Sequence, residues 1–239
     1  MSRIGTASVT AVAVVFAFAF PQLSHAVLLD TAFGGAQFKD TSLGGTTVAA
    51  RPELVGAVVA DVSQPFSVPA LNIAGNVQSR VVRETVAGTL DFYWRVTVDQ
   101  TSTGGGVAAF RLTDFGFSNI TDGDWTQDSI GSSVPRTARV FNPTGFPTGS
   151  VNFLFSDPIV LPGNPASNLN GSHFFFLHTA ATQYSMSATY DLIVGANQTL
   201  SPLFPTFAPA QVPEPTATLL ALLGLAGSAS VRRRKRVNT

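Results

Sequence analysis

The chain has 239 residues, no cysteine and equal numbers of acidic and basic side chains, so its formal net charge is zero. The missing cysteines exclude disulfides, thiolate nucleophiles and cysteine-ligated zinc. Five of the 14 basic residues crowd into Arg232, Arg233, Arg234, Lys235 and Arg236, which leaves the stretch between the ends acidic and excludes nucleic acid as a partner, since a phosphate backbone needs a basic face.

The first 26 residues have the three parts of a secretory signal peptide. Arg3 supplies the positive start, an apolar run is strongest from Ala11 to Phe20, and Pro21 breaks any helix. Ser24 and Ala26 put small side chains at the −3 and −1 positions, so signal peptidase is expected to cut between Ala26 and Val27. The run is well short of the ~20 residues a membrane-spanning helix needs. Residues 27–55 then form a variable N-terminal segment, in which Asp30–Thr47 is rich in Gly, Ala and Thr and reads as a loosely docked first piece.

Short apolar runs separated by turn residues follow: Gly56–Val62, Asn76–Val86, Thr89–Asp99, Val107–Phe117, Arg136–Phe141, Ser150–Phe155, His173–Thr179 and Met186–Val194. The third shows the strand period most clearly. Leu90, Phe92, Trp94, Val96 and Val98 share one face, while Asp91, Arg95, Thr97 and Asp99 lie on the other, where Tyr93 also falls. Such a strand is expected to bury one side and wet the other, as antiparallel sheets do. Runs of this length between Gly, Ser, Asn and Pro turns predict an all-β domain over residues 56–197, an antiparallel β-sandwich or jelly-roll-like fold flanked by an N-terminal signal helix and a C-terminal transmembrane helix.

Chemistry-bearing residues are few in this stretch. His173 and His178 flank an apolar run at an odd offset, so on a strand they face opposite sides and cannot hold one metal ion together; both read as edge or surface histidines. Glu53 and Glu84 are the only glutamates between the leader and the tail, and nothing singles out a carboxylate pair for glycoside hydrolysis. No catalytic residue is assigned and no enzyme is expected. Asp122, Asp124 and Asp128 alternate around Gly123 and are candidate oxygen ligands for Ca²⁺, although the spacing is not that of an EF-hand and a plain Asp/Gly turn with a packed Trp125 is the preferred reading. Trp125 or Tyr93, if exposed, are candidates to stack on sugar rings.

Residues 198–211 carry Pro202, Pro205 and Pro209 and predict an extended, semi-rigid linker. The tail, 212–239, has three pieces. Pro213-Glu214-Pro215 holds a short extended segment; an apolar run from Thr216 to Val231 would cover about 24 Å as a helix; the basic cluster would stay on the cytoplasmic side. In that order, at the extreme terminus, these pieces resemble the PEP-CTERM sorting signal of exopolysaccharide-producing Gram-negative bacteria. The resemblance is confined to the tail. It implies recognition of Pro213, Glu214 and Pro215 by an exosortase-like membrane peptidase, transient anchoring in the inner membrane, and a final place at the cell surface or outside the cell, with exopolysaccharide as a candidate partner. The expectation is therefore an exported, non-enzymatic surface or extracellular-matrix protein, with a secreted carbohydrate- or calcium-binding domain on the same tail as the alternative.

Overall fold

The computed structural model describes residues 27–99, 102–103, 105–116, 120–142, 150–160 and 171–210. The expected signal peptide, the motif Pro213, Glu214, Pro215 and the basic cluster from Arg232 to Arg236 lie outside them. Among the described residues no helix is long and apolar enough to cross a membrane.

The described chain is all-β. Its strands are β1 (Phe38–Ser42), β2 (Gly56–Val68), β3 (Ile73–Glu84), β4 (Leu90–Val98), β5 (Val107–Thr113), β6 (Ile120–Trp125), β7 (Pro135–Phe141), β8 (Ser150–Ile159), β9 (Phe175–Thr179), β10 (Tyr184–Val194), β11 (Thr199–Leu200) and β12 (Phe204–Pro209). They pair into two antiparallel sheets. One runs β2-β3-β4-β9-β6; the other runs β1-β7-β8-β5-β10, with β11 and β12 both paired to β10.

The inner faces of the sheets share one core because their strands alternate. Trp94 of the five-stranded sheet is 1 % exposed and meets Phe110 and Phe153 of the other sheet at ring-centroid distances of 5.6 and 6.4 Å. Phe175 packs against the same two rings at 5.2 and 4.7 Å. Burying aromatic side chains this completely is the main source of the fold's stability, since each removes a large apolar area from water. Trp94 also donates its indole N–H to Thr206 of β12 at 2.8 Å, so the last strand is tied into the core by a satisfied polar group.

Two stretches expected to lie outside the β-domain, one as a loosely docked segment and one as a semi-rigid linker, carry strands of the fold. In the Gly-rich N-terminal stretch, β1 pairs with β7, Leu29 and Leu43 are buried, and Gly123 N–H donates to the carbonyl of Val27 at 3.1 Å. The Pro-rich stretch contains β11 and β12, with Phe207 and Ala208 buried. Its prolines are compatible with pairing because β12 lies at a sheet edge, where a missing N–H costs least. A third departure concerns the Asp-rich run: Asp122, Gly123, Asp124 and Trp125 form a strand, β6, at the edge of the five-stranded sheet, rather than a turn.

The outer face of the five-stranded sheet is not simply wetted. Asp91 is fully buried and Tyr93 is 9 % exposed. The chain between β1 and β2 lies over them, ending in a 3-10 turn at Pro52–Leu54, and Leu54 makes a small second core with Val82, Tyr93 and Phe176.

Candidate functional site

Register puts the site together. Across the five-stranded sheet Val82 stands opposite Asp91, Asp91 opposite His178, and His178 opposite Asp122. Directly opposed residues point to the same face, so these four make one row on the covered side. The next row holds Arg80, Tyr93, Phe176 and Asp124.

The covering segment is pinned at both ends. Gly45 N–H donates to Asp124 Oδ1 at 2.8 Å, Thr46 N–H to the Trp125 carbonyl at 2.9 Å, and Val48 N–H to Asp128 Oδ2 at 2.6 Å. Gly45 has φ +78°, and a Cβ there would stand 2.3 Å from the Trp125 ring, so only glycine lets the segment pass. Farther on, Arg51 reaches down to the sheet. Its side chain is 2 % exposed, and it grips both oxygens of Asp122 at 2.8 and 3.2 Å while donating to Glu53 at 2.8 Å. Its guanidinium also lies 5.5 Å from the centre of the Phe176 ring.

The remaining charged groups beneath the cover are Glu84, Asp91 and His178. His178 Nδ1 lies 2.6 Å from Asp91 Oδ1 and 2.9 Å from Glu84 Oε1. One ring nitrogen carries at most one hydrogen, and the shorter contact takes it, which leaves Glu84 Oε1 without a hydrogen bond. Asp91 Oδ2 is likewise buried without one. Burial is the largest influence on Asp91 and pushes its carboxyl up to about 6 against the pull of His178. For His178 burial works against the charged ring, but the hydrogen bond and charge of Asp91, with Asp122 and Glu84, outweigh it and raise the imidazole above its ordinary value.

The sequence candidates are thus separated. Asp122 is taken by Arg51, Asp124 by the backbone of Gly45 and Trp125, and Asp128 by Val48, so the three carboxylates serve separate partners and form no common oxygen cage. Burial raises the Asp124 carboxyl, with the backbone N–H groups of Gly45 and Trp125 opposing it. The two histidines do face apart: His173 packs beside the Trp125 ring at 5.3 Å, and His178 lies on the covered face. His178 is nevertheless no surface histidine. Trp125 is 8 % exposed beneath Gly45 and offers no platform for a sugar.

Alongside the cover, on the same face, lies an open pocket of about 380 Å³ lined by Val48, Arg80, Val82, Tyr93, Arg95 and Phe174 together with Thr126, Asp128, Ser129 and Ile130. Arg80 lies over the Phe174 ring at 4.9 Å and is ion-paired with Asp61 at 2.7 Å. Arg95 donates to the Ser172 carbonyl at 3.2 Å and has no carboxylate partner among the described residues. Partial burial lowers its pKa from the ordinary arginine value, and it remains a cation.

Sequence reasoning missed Arg51, Glu84, Asp91 and Arg95 as site residues. The only available signal was carboxylates at both ends of one hairpin, Glu84 and Asp91, on strands that otherwise alternate apolar residues. Beyond the described residues, positions 211–235 match the PEP-CTERM protein-sorting motif. No curated protein and no solved structure matches the chain.

Proposed function

We propose that this chain is an exported, non-enzymatic surface or extracellular-matrix protein, whose sandwich domain is carried to the membrane and released or transferred by an exosortase-like peptidase at Pro213-Glu214-Pro215. The sorting motif at 211–235 carries this reading. β12 supports it: the strand ends at Pro209, so four residues reach Pro213, at most about 14 Å of extended chain. The folded domain is therefore held close to the processing site, and transient anchoring presents it directly at the membrane surface. Intact-mass spectrometry of the protein from its native cells and medium tests the route. A species that starts at Val27 and ends near Pro213–Pro215 supports it; a membrane-bound species ending at Thr239 overturns it.

A second reading concerns what the surface domain binds, and the pocket favours it. An arginine without a carboxylate partner, beside the partly exposed Phe174, suits a sugar ring that carries a carboxylate: the ring's apolar face meets Phe174 and the acid meets the guanidinium. On a glycan array, uronate-bearing glycans should be retained by the wild type and lost at least tenfold by Arg95→Gln, with Arg139→Gln on the other sheet as control. Retention of neutral sugars only, or unchanged binding by Arg95→Gln, rejects this reading.

A further inference from the structure

The geometry points to a divalent metal site formed by Glu84, Asp91 and His178, which takes a transition cation of the Mn²⁺ or Zn²⁺ class. The three residues come from the end of β3, the start of β4 and the end of β9. Each offers one donor atom, and those atoms lie within 4.8 Å of one another. Donors around an ion at roughly 2.1 Å stand about 3 Å apart when they lie at right angles. His178 Nδ1 stands 2.9 Å from Glu84 Oε1 and 2.6 Å from Asp91 Oδ1, so the two carboxylates and the imidazole converge at about that spacing.

Independent of the cluster is the state of its oxygens. Glu84 is 3 % and Asp91 0 % exposed at the side chain, yet Glu84 Oε1 and Asp91 Oδ2 have no hydrogen bond. A buried carboxylate oxygen without a donor is costly, and native folds seldom keep two side by side. Glu84 is also held in place from behind, because Thr89 Oγ1 donates to its Oε2 at 2.6 Å and leaves Oε1 directed at His178. An oriented carboxylate with one oxygen fixed and the other free is the arrangement that supports metal ligation.

Charge makes the same demand. The nearest fixed cation, Arg51, is spent on Asp122 and Glu53. Two buried carboxylates then face a single imidazole, and even an imidazolium leaves a net negative charge under the cover. A divalent ion neutralises both carboxylates and lets the imidazole bind as a neutral ligand. One nitrogen and two carboxylates suit Mn²⁺ or Zn²⁺ better than Ca²⁺ or Mg²⁺, which take oxygen almost exclusively. His178 is 18 % exposed at the side chain, so water can complete the coordination from its side. The site would clasp the β3–β4 hairpin to β9, and it stands whether or not the pocket binds a saccharide.

The test titrates chelator-treated full-length protein with Mn²⁺ and, separately, Zn²⁺ by calorimetry. One ion per chain is expected, with affinity at least tenfold weaker in Glu84→Gln and in Asp91→Asn, unchanged in Asp40→Asn on the other sheet, and at least tenfold weaker for Ca²⁺ in the wild type. A readout that needs no variant accompanies it: bound Mn²⁺ should broaden the imidazole proton signals of His178 beyond those of His173. Absence of binding by the folded wild type, equal affinity in Glu84→Gln and Asp91→Asn, or broadening that spares His178 would each overturn the site.

Discussion

The outer faces of the two sheets are built from the same residue types and pair them differently. On the seven-stranded sheet, register aligns Asp40, Arg139, Asn152, Arg111 and Asp191 across five strands. The row reads acid, base, amide, base, acid, and each charge finds its neighbour: Arg139 donates to both oxygens of Asp40 at 2.7 and 2.8 Å, and Arg111 grips Asp191 through two nitrogens. On the five-stranded sheet the corresponding rows lie partly under the β1–β2 segment, and one carboxylate takes the arginine while two others converge on a histidine. Alternation within a strand decides that a residue points outward. Whether outward means water or a covered site depends on a segment elsewhere in the chain.

The largest effect should come from Arg51→Ala. Removing one partner of a buried pair leaves Asp122 as an uncompensated charge, a loss of about 3–5 kcal/mol. Urea denaturation of this variant beside Arg139→Ala measures the contrast directly, since the second sits in a half-exposed pair and should cost at most about 1 kcal/mol. Equal losses would mean that the cover does not create a distinct environment. Gly45→Ala attacks the cover itself, adding strain at φ +78° and a Cβ 2.3 Å from Trp125. A loss of about 2–3 kcal/mol is expected by the same denaturation assay, and a neutral result would show that the segment shifts freely.

How much of this was legible in the sequence follows from the range of the interactions. The inward face of β4 was readable because Leu90, Phe92, Trp94, Val96 and Val98 declare it locally by period. β12 was not, because Pro205 and Pro209 dominate its composition while its strand character rests on pairing with β10 and on the Trp94–Thr206 hydrogen bond. At β6, Asp-Gly-Asp favours a turn in isolation; partners from the cover, Arg51 and Gly45, hold it in the sheet instead. The triad was out of reach for a similar reason: Asp91 and His178 are 87 residues apart, and their meeting depends on β9 inserting between β4 and β6. The sorting tail was legible because its signal is linear.

Between pH 5 and 8 the two faces should also titrate differently. Asp91, pushed up to about 6, and His178, raised above 6.5, both hold protons more tightly when folded. Groups with raised values contribute stability at low pH that is lost as pH rises through their folded values. Glu84, Asp122, Arg51, Glu53 and Tyr93 surround them. Glu53, where burial is the largest influence but Arg51 and the backbone N–H of Glu53 together overcome it, is lowered, as is Asp40, where Arg139 dominates; both therefore lose their contribution only on the acid side of about 4. In chelator, stability should fall by on the order of 1–3 kcal/mol from pH 5 to pH 8, and Asp91→Asn should flatten the slope. Denaturation curves at four pH values decide it; a slope unchanged by Asp91→Asn would place the titration elsewhere.

The smallest effect belongs to the open face and sharpens the comparison from the other side. Asp40 and Arg139 are 43 % and 31 % exposed, and the guanidinium also lies 4.1 Å from the Phe38 ring centre. Water screens such a pair and side-chain entropy offsets much of its attraction, so a double-mutant cycle of Asp40→Asn and Arg139→Gln should give a coupling below about 1 kcal/mol. Coupling that persists in 1 M salt would contradict this, because the Debye length is then about 3 Å and an exposed pair loses most of its attraction. The Asp122–Arg51 pair, 5 % and 2 % exposed, should by contrast keep its coupling at the same salt. Solvent access, rather than the identity of the partners, would then set the strength of an arginine–aspartate contact in this protein.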